Sequence, residues 1–172
     1  MKPYDVLIVG AGLVGASLAR ALADSPLRVA LLEQAPPPPM PALWDSRVYA
    51  ISPACERFLR QIGIWQAMDA TRLQAVHAME IKGDAGGALQ FSAQSVHQTH
   101  LTYIVESSQM QHALWQSLQN QDNLDIICPA TLDHLTFLPQ MAEAHLQDGR
   151  VLTASLIAGA DGAHSAVRKQ AG

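Results

Sequence analysis

The sequence predicts an α/β fold in which helices flank a parallel sheet and an antiparallel β segment is inserted. An apolar strand over Tyr4–Val9 leads through a glycine-rich turn into an apolar helix over Leu13–Ala23. A second strand, Arg28–Glu33, is apolar almost throughout, which is typical of a parallel strand covered on both faces. At about residues 73–105 the pattern changes to short strand-like segments around a glycine-rich turn, which predicts an antiparallel insertion with a hairpin.

The glycine-rich turn over Gly10–Gly15 has the GxGxxG spacing of Rossmann-like, dinucleotide-binding units. Gly10 permits the tight turn, Gly12 lets the backbone approach a pyrophosphate, and Gly15 lets helix and strand pack closely. The phosphates would sit on the free N–H groups at the positive end of the helix that Leu13 begins. A bare glycine turn is weak evidence, but here the preceding strand, the helix and a second strand that ends in an acid give it specificity.

Glu33 closes the second strand at the position where dinucleotide-binding units carry an acidic residue. Its carboxylate is expected to accept hydrogen bonds from an adenosine ribose. Because a carboxylate favours a free 2′-hydroxyl and repels a 2′-phosphate, the sequence predicts FAD or NAD rather than NADP as the ligand.

Composition narrows the class of protein. The chain has 172 residues, of which 49% are hydrophobic and 15% charged, and its net charge is −4. These values fit a globular domain. The Lys and Arg residues are scattered along the sequence and do not form the basic cluster that nucleic-acid binding needs. Cys55 and Cys128 lack metal-ligand spacing and are expected to be small buried hydrophobes, and no metal site is predicted. With neither a signal peptide nor an apolar run typical of a membrane span, we expect a cytoplasmic protein, with peripheral membrane contact left open.

The rest of the chain alternates between predicted helices and strands. Ser52 and Pro53 predict a helix start, with Gly63 as its end. The proline run at residues 36–41 predicts an extended surface loop, in preference to a docking site for a partner. The other predicted elements are a helix over Ser107–Gln119 and strands over Leu124–Cys128, Thr131–Phe137, Ala142–Gln147 and Val151–Ala158.

Two further segments carry groups that suit a cofactor. Asp161 and Gly162 follow an apolar strand, and Asp161 is suited to accept hydrogen bonds from cofactor hydroxyls. The alternative is a plain Asp-Gly turn in which Ser165 caps a short helix. Arg47 follows Trp44 in a loop, where its guanidinium suits a pyrophosphate or the edge of a flavin; the alternative is a solvated surface arginine.

The order of these segments resembles that of the FAD-dependent aromatic hydroxylases. The stretches DSRVYAISPACERFLRQIGIW and TYIVESSQMQHALW are similar to the ubiquinone-biosynthesis branch, the UbiH/UbiF/VisC hydroxylases, and above all to its VisC-like (UbiI) members. The resemblance covers Tyr4–Gly172. It implies a glutathione-reductase-type FAD-binding domain, and a monooxygenase that uses NAD(P)H and O₂ to hydroxylate an aromatic or polyprenyl-phenol ring. Peripheral contact with the inner membrane or with a biosynthetic complex is left as an open expectation.

The resemblance also assigns roles to residues. It implies that the glycine turn binds the FAD pyrophosphate and Glu33 the ribose, and that Asp161 and Gly162 serve both FAD and the passing NAD(P)H. Arg47 is expected to reach the cofactor from a loop before a helix, and backbone near residues 130–131 to touch adenine. No catalytic residue is assigned. The cofactor-binding residues so predicted are Gly10, Gly12, Leu13, Gly15, Glu33, Arg47, Gln109, Asp161 and Gly162.

The chain departs from this family in its length. The relatives are more than twice as long and carry a later Gly-Asp segment and a glycine-rich stretch that this sequence lacks. We therefore expect residues 1–172 to be the N-terminal part of an FAD-binding domain, with the β insertion belonging to the substrate side. Alone, it is expected to bind FAD weakly or not at all, and to self-associate through exposed apolar surface. The alternatives are another flavoprotein oxidoreductase and a non-catalytic FAD- or ADP-binding module.

Overall fold

The computed structural model describes residues 2–172, which form two compact units. The first contains residues 2–39 and 114–172, and the second contains residues 40–113. The strands are β1 (Tyr4–Val9), β2 (Val29–Leu32), β3 (Val48–Ile51), β4 (Gln74–Val76), β5 (Ala78–Lys82), β6 (Ala88–Ser92), β7 (Thr102–Glu106), β8 (Leu124–Ile127), β9 (Leu132–Phe137), β10 (Ala142–Leu146) and β11 (Val151–Gly159). The α-helices are α1 (Leu13–Ala21), α2 (Pro53–Gln61), α3 (Ser107–Leu118) and α4 (Ala166–Ala171).

The first unit is built on a six-stranded sheet with the order β8-β2-β1-β11-β10-β9. The strands β8, β2, β1 and β11 run parallel, whereas β10 and β9 extend the sheet as an antiparallel hairpin. All four residues of β2 are buried, as the continuous apolar run predicted. The α/β class with a parallel sheet is confirmed, and the sheet core includes the fully buried Leu7, Ile8 and Leu31.

The second unit contains the antiparallel sheet β3-β7-β4 and the separate hairpin β5-β6. One face of the hairpin is apolar and exposed, because Met79 pairs with Phe91 and Ile81 with Leu89 on the same side. The strands of the predicted insertion are therefore present. Its assignment to a substrate side, and self-association through exposed apolar surface, stay predictions.

Element boundaries differ from the predicted ones mainly at their ends. Helix α1 ends at Ala21 rather than Ala23, and the strand-like segment predicted before the glycine-rich turn of the insertion is split into β4 and β5. Strand β3 was missed, because it is a short, largely exposed strand that exists through its antiparallel pairing with β7. Arg47 consequently precedes a strand and not a helix. The predicted start of α2 is confirmed, since the Ser52 hydroxyl accepts the N–H of Cys55.

The prediction of buried cysteines is wrong for Cys55. This residue is exposed on the first turn of α2, whereas the buried side of that helix is formed by Glu56 and Leu59. Cys128, at the end of β8, is half-buried, and burial raises the pKa of its thiol, with a further contribution from the charge of Glu33. No helix within residues 2–172 has the length and apolarity needed to cross a bilayer.

Candidate functional site

A cleft of about 480 Å³ opens in the first unit, at the carboxyl ends of β1, β2 and β11. In the sheet, β2 lies on one side of β1 and β11 lies on the other side, so the direction of the strand order reverses at β1. Such a reversal point is where open α/β sheets bind ligands. The cleft is lined by Val9, Gly10, Gly12, Leu32, Glu33, Gln34, Ala130, Leu132, Ala160, Asp161, Gly162, His164 and Ala166.

Gly10 and Gly15 are required by the packing of the turn itself. Gly10 has φ +100°, and a Cβ there would lie 2.5 Å from the carbonyl oxygen of Ala160. A Cβ on Gly15 would collide with the carbonyl oxygen of Gly10. Gly15 and Leu13 do not line the cleft. The glycines thus bring the ends of β1 and β11 together and seat α1 directly against the turn.

Gly12 has no such internal reason to be glycine. Its φ is −64°, and a Cβ there would meet no atom within 4 Å. It lines the cleft as the N-cap of α1, with no side-chain hydrogen bond at the cap and no acidic residue in the first turn of the helix. The open space at the positive end of α1 is therefore one that a side chain would fill and a phosphate fits.

Glu33 lies directly after β2, and its carboxylate borders the same cleft. Oε2 accepts the backbone N–H of Ala11 at 2.6 Å, and Oε1 accepts the N–H of Gln34 at 2.8 Å. The backbone of Glu33 continues the strand pairing, since its N–H donates to the Ile127 carbonyl and its own carbonyl accepts from Ala130. A half-buried carboxylate fixed at this edge is suited to a ribose hydroxyl, and that contact stays a prediction.

Asp161 borders the cleft, but its carboxylate also caps α4. Oδ1 accepts the Ser165 hydroxyl at 2.6 Å, and Oδ2 accepts the N–H groups of Ala166 at 2.6 Å and Val167 at 3.1 Å. Burial by itself raises the pKa of Asp161, yet these hydrogen bonds outweigh it and hold the pKa below its ordinary value. Ser165 caps the helix as predicted, through Arg168 N–H. Asp161 thus has a structural role, and a contact with the cofactor would have to use the same carboxylate.

Arg47 lies in the second unit, where its backbone is fixed at both ends. Its N–H donates to Asp45 at 2.9 Å, and its carbonyl accepts from the N–H of Ser107. The second oxygen of Asp45 accepts the N–H of Ser108 at 3.0 Å, at the start of α3. The hydrogen bonds that the backbone N–H groups of Arg47 and Ser108 donate to Asp45 make the largest contributions to its pKa, and they hold that pKa below its usual value. The Arg47 side chain is exposed, and its guanidinium has no hydrogen-bond partner among the described residues.

A buried ion pair supports this segment. Glu106, 3% exposed, accepts the Asp45 N–H at 2.6 Å and two hydrogen bonds from Arg72, Nε at 2.8 Å and Nη2 at 2.5 Å. Burial raises the pKa of Glu106, but the bonds from Arg72 and Asp45 outweigh it and lower the pKa overall. Sequence reasoning missed this pair, because a lone Arg and a Glu 34 positions apart give no local signal.

Gln109 is placed in the interior of the second unit. It is 3% exposed, and its Oε1 accepts the N–H of Asp69 at 2.6 Å, while its Nε2 has no hydrogen-bond partner among residues 2–172. Its cofactor contact stays a prediction. Sequence reasoning also missed Ala11 and Gln34. The first acts through its backbone N–H, which side-chain patterns cannot reveal, and the second is an exposed residue at the cleft.

Comparison with protein families gives one match over nearly the whole chain, to a family described as FAD binding domain, at residues 3–172. The chain belongs to this FAD binding domain family. FAD is accordingly its cofactor, and the open space at Gly12, the uncapped end of α1 and the Glu33 carboxylate are the features that fit the ADP half of FAD. In the part of the chain that the structure describes, no group of side chains suits a metal ion.

Curated relatives of this FAD binding domain include ubiquinone-pathway enzymes. The chain is 35% identical to 3-demethoxyubiquinol 3-hydroxylase of Escherichia coli, over 99% of this chain and 44% of that protein. It is 34% identical to ubiquinone hydroxylase UbiL of Rhodospirillum rubrum, over 99% of this chain and 40% of the relative. The chain therefore spans about two fifths of the length of these relatives. The predicted resemblance to ubiquinone hydroxylases is confirmed.

Solved structures support the fold. PqsL of P. aeruginosa, a probable FAD-dependent monooxygenase, superposes with a TM-score of 0.77 at 24% identity, over 99% of this chain and 45% of that one. The p-nitrophenol 4-monooxygenase PnpA of Pseudomonas putida gives a TM-score of 0.78 at 20% identity, over 99% and 44%. At these identities the likeness establishes a shared fold.

Proposed function

We propose that this chain is the ADP-binding part of an FAD-dependent monooxygenase of the ubiquinone-hydroxylase type, which hydroxylates an aromatic or polyprenyl-phenol ring with NAD(P)H and O₂. The observation that carries the proposal is the cleft in which Gly12, the end of α1 and Glu33 face one space. The identity of 35% to 3-demethoxyubiquinol 3-hydroxylase supports the substrate class.

In this proposal the residues of the chain bind and orient the cofactor, while bound FAD supplies the redox chemistry. Gly12 and the N–H groups at the start of α1 hold the pyrophosphate, and Glu33 accepts the ribose hydroxyls. Gly162, with φ +81° and open space on its Cα, lets backbone approach the cofactor closely. Asp161 fixes α4 beside the cleft through its three hydrogen bonds.

We also propose that Arg47 and Gln109 contribute to cofactor binding. Arg47 has a backbone fixed by Asp45 and Ser107 and an exposed guanidinium suited to an anionic group. Gln109 retains an uncommitted amide N–H group, although it is buried. A polyprenyl substrate would further imply contact with the surface of a membrane, where such a tail resides.

The experiment is to supply the purified chain with FAD in large excess, because its affinity for FAD is expected to be weak. NADH or NADPH, O₂ and a short-chain polyprenyl-phenol are added, and the phenol is followed by mass spectrometry. The proposal expects a product heavier by one oxygen atom, formed only when FAD and a reduced nicotinamide are both present. Binding of FAD without any such product would favour the alternative of a non-catalytic FAD- or ADP-binding module.

A further inference from the structure

We propose that the Glu33 carboxylate couples the two halves of the ADP site, because it holds the glycine turn in its pyrophosphate-binding shape as well as accepting the ribose. This inference rests on the proposed use of the cleft for an adenine dinucleotide. Its central observation is the 2.6 Å hydrogen bond from the N–H of Ala11 to Oε2 of Glu33. Ala11 stands between the two glycines that shape the turn and is 2% exposed.

The carboxylate is well placed to act as a fixed support. The backbone of Glu33 is bonded to Ile127 on one side and to Ala130 on the other, and its Oε1 accepts the N–H of Gln34. A second hydrogen bond also fixes the turn to the end of β2, since the N–H of Gly10 donates to the Leu32 carbonyl at 2.8 Å. A charge-assisted bond to a buried N–H in this setting is stronger than an exposed neutral one. The bond therefore ties the Gly10–Gly12 backbone to the end of β2.

The same carboxylate still has capacity for a ribose. An ionised carboxylate offers about four acceptor positions. The bonds from Ala11 and Gln34, with a longer one of 3.4 Å from the Ala35 N–H, use three of them. A ligand with a 2′-phosphate would repel Glu33, and any movement of the carboxylate away from that charge would also release Ala11. A 2′-phosphate would thus also weaken binding of the pyrophosphate by the glycine turn. The contributions of ribose recognition and phosphate recognition to the binding free energy are therefore expected to be coupled rather than additive.

The test compares binding of ADP and 2′,3′-dideoxy-ADP by isothermal titration to the wild-type chain, Glu33→Ala, Glu33→Asp and Glu33→Gln. Dideoxy-ADP has no ribose hydroxyl for Glu33 to bind, so it reports on the glycine turn. We expect Glu33→Ala and Glu33→Asp, whose side chains are too short to reach Ala11, to weaken dideoxy-ADP about tenfold, the value of one charge-assisted bond. Glu33→Gln, which keeps an acceptor oxygen, should restore most of this affinity. Glu143→Ala, at a partly exposed glutamate of the same unit, serves as the control and should change neither ligand.

Hydrogen exchange at the Ala11 amide gives a second readout that does not depend on ligand. It should be faster in Glu33→Ala and Glu33→Asp than in the wild-type chain, and near wild-type in Glu33→Gln. The inference is overturned if the shortened variants weaken ADP but leave dideoxy-ADP unchanged, because Glu33 would then be a ribose acceptor alone. If Glu33→Ala does not fold, Glu33→Asp decides the question in the same way. A wild-type chain that does not bind ADP would instead contradict the proposed function.

Discussion

A Cβ atom on Gly10 would lie 2.5 Å from the carbonyl oxygen of Ala160, so glycine at this position lets the ends of β1 and β11 meet. Two residues further along, a Cβ on Gly12 would meet nothing within 4 Å. The two glycines of one motif therefore serve different purposes. Gly10 is required by the fold, and Gly12 leaves a space for a ligand.

This contrast predicts that Gly12→Ala folds but loses nucleotide affinity. The added methyl group points into open space, so the cost in unfolding free energy should be about 1 kcal/mol or less, that of replacing Gly by Ala at an N-cap. ADP affinity should fall at least about tenfold, since the phosphate could no longer approach the backbone. Isothermal titration and urea denaturation measure the two effects. Gly87→Ala, another open position with ordinary backbone, is the control and should change neither.

Gly10→Ala should behave in the opposite way. The clash with Ala160 and the positive φ would both oppose folding, so a loss of several kcal/mol of stability is expected. A Gly10→Ala chain as stable as the wild type, or a Gly12→Ala chain that unfolds, would show that the turn has been misassigned.

Asp161 is expected to matter for stability as well as for the cofactor. Asp161→Asn keeps the side-chain shape but replaces one acceptor oxygen by a donor, so the capping bonds from Ser165, Ala166 and Val167 are partly lost. We expect a loss of about 1–2 kcal/mol in unfolding free energy at neutral pH. Asp148→Asn, at a carboxylate half-exposed beside Arg150, is the control and should cost clearly less. Equal losses in the two variants would argue against the capping role.

Acid should destabilise the protein through Glu106. Its pKa is lower in the folded chain than in the unfolded chain, so the stability that its charge contributes is present above the unfolded value of about 4.3. That stability is lost as the pH falls through the lower, folded pKa. Glu106→Gln should cost about 3 kcal/mol at neutral pH, because the Arg72 side chain, only 16% exposed, would lose its charge partner. The same change should flatten the loss of stability in acid. Denaturation curves from neutral pH to pH 3, with exposed Glu80→Gln as control, decide this; an unchanged acid slope in Glu106→Gln would contradict it.

Arg47→Gln should weaken FAD about tenfold, the value of one charge-assisted contact, and make the remaining affinity less sensitive to salt. Folding should be unaffected, because the Asp45 and Ser107 bonds use only the backbone of Arg47. Fluorescence titration of FAD at low and moderate ionic strength measures both effects. Arg57→Gln, at an exposed arginine of the same unit, should leave affinity and salt dependence unchanged. Equal behaviour of the two variants would remove Arg47 from the cofactor site.

The parallel strands and the glycine turn could be predicted because local patterns determine them. The buried strand β2, the turn at Gly10–Gly15 and the Ser52 cap each combine a short sequence signal with one physical requirement. Strand β3 and the exposed position of Cys55 could not be predicted, since pairing with β7 and the orientation of α2 decide them. Bonds such as Ala11 to Glu33 join residues far apart in sequence through a backbone group. The residue types at these positions therefore do not indicate such contacts.

The most direct test of the central claim, that the cleft beside Gly12 and Glu33 holds the ADP half of FAD, is competition between FAD and ADP for the wild-type chain. FAD fluorescence is followed while ADP, or ADP-ribose carrying a 2′-phosphate, is added. We predict that ADP displaces FAD fully and that the 2′-phosphorylated ligand displaces it at least about tenfold less well. FAD that stays bound at saturating ADP, or equal displacement by both ligands, would contradict the account.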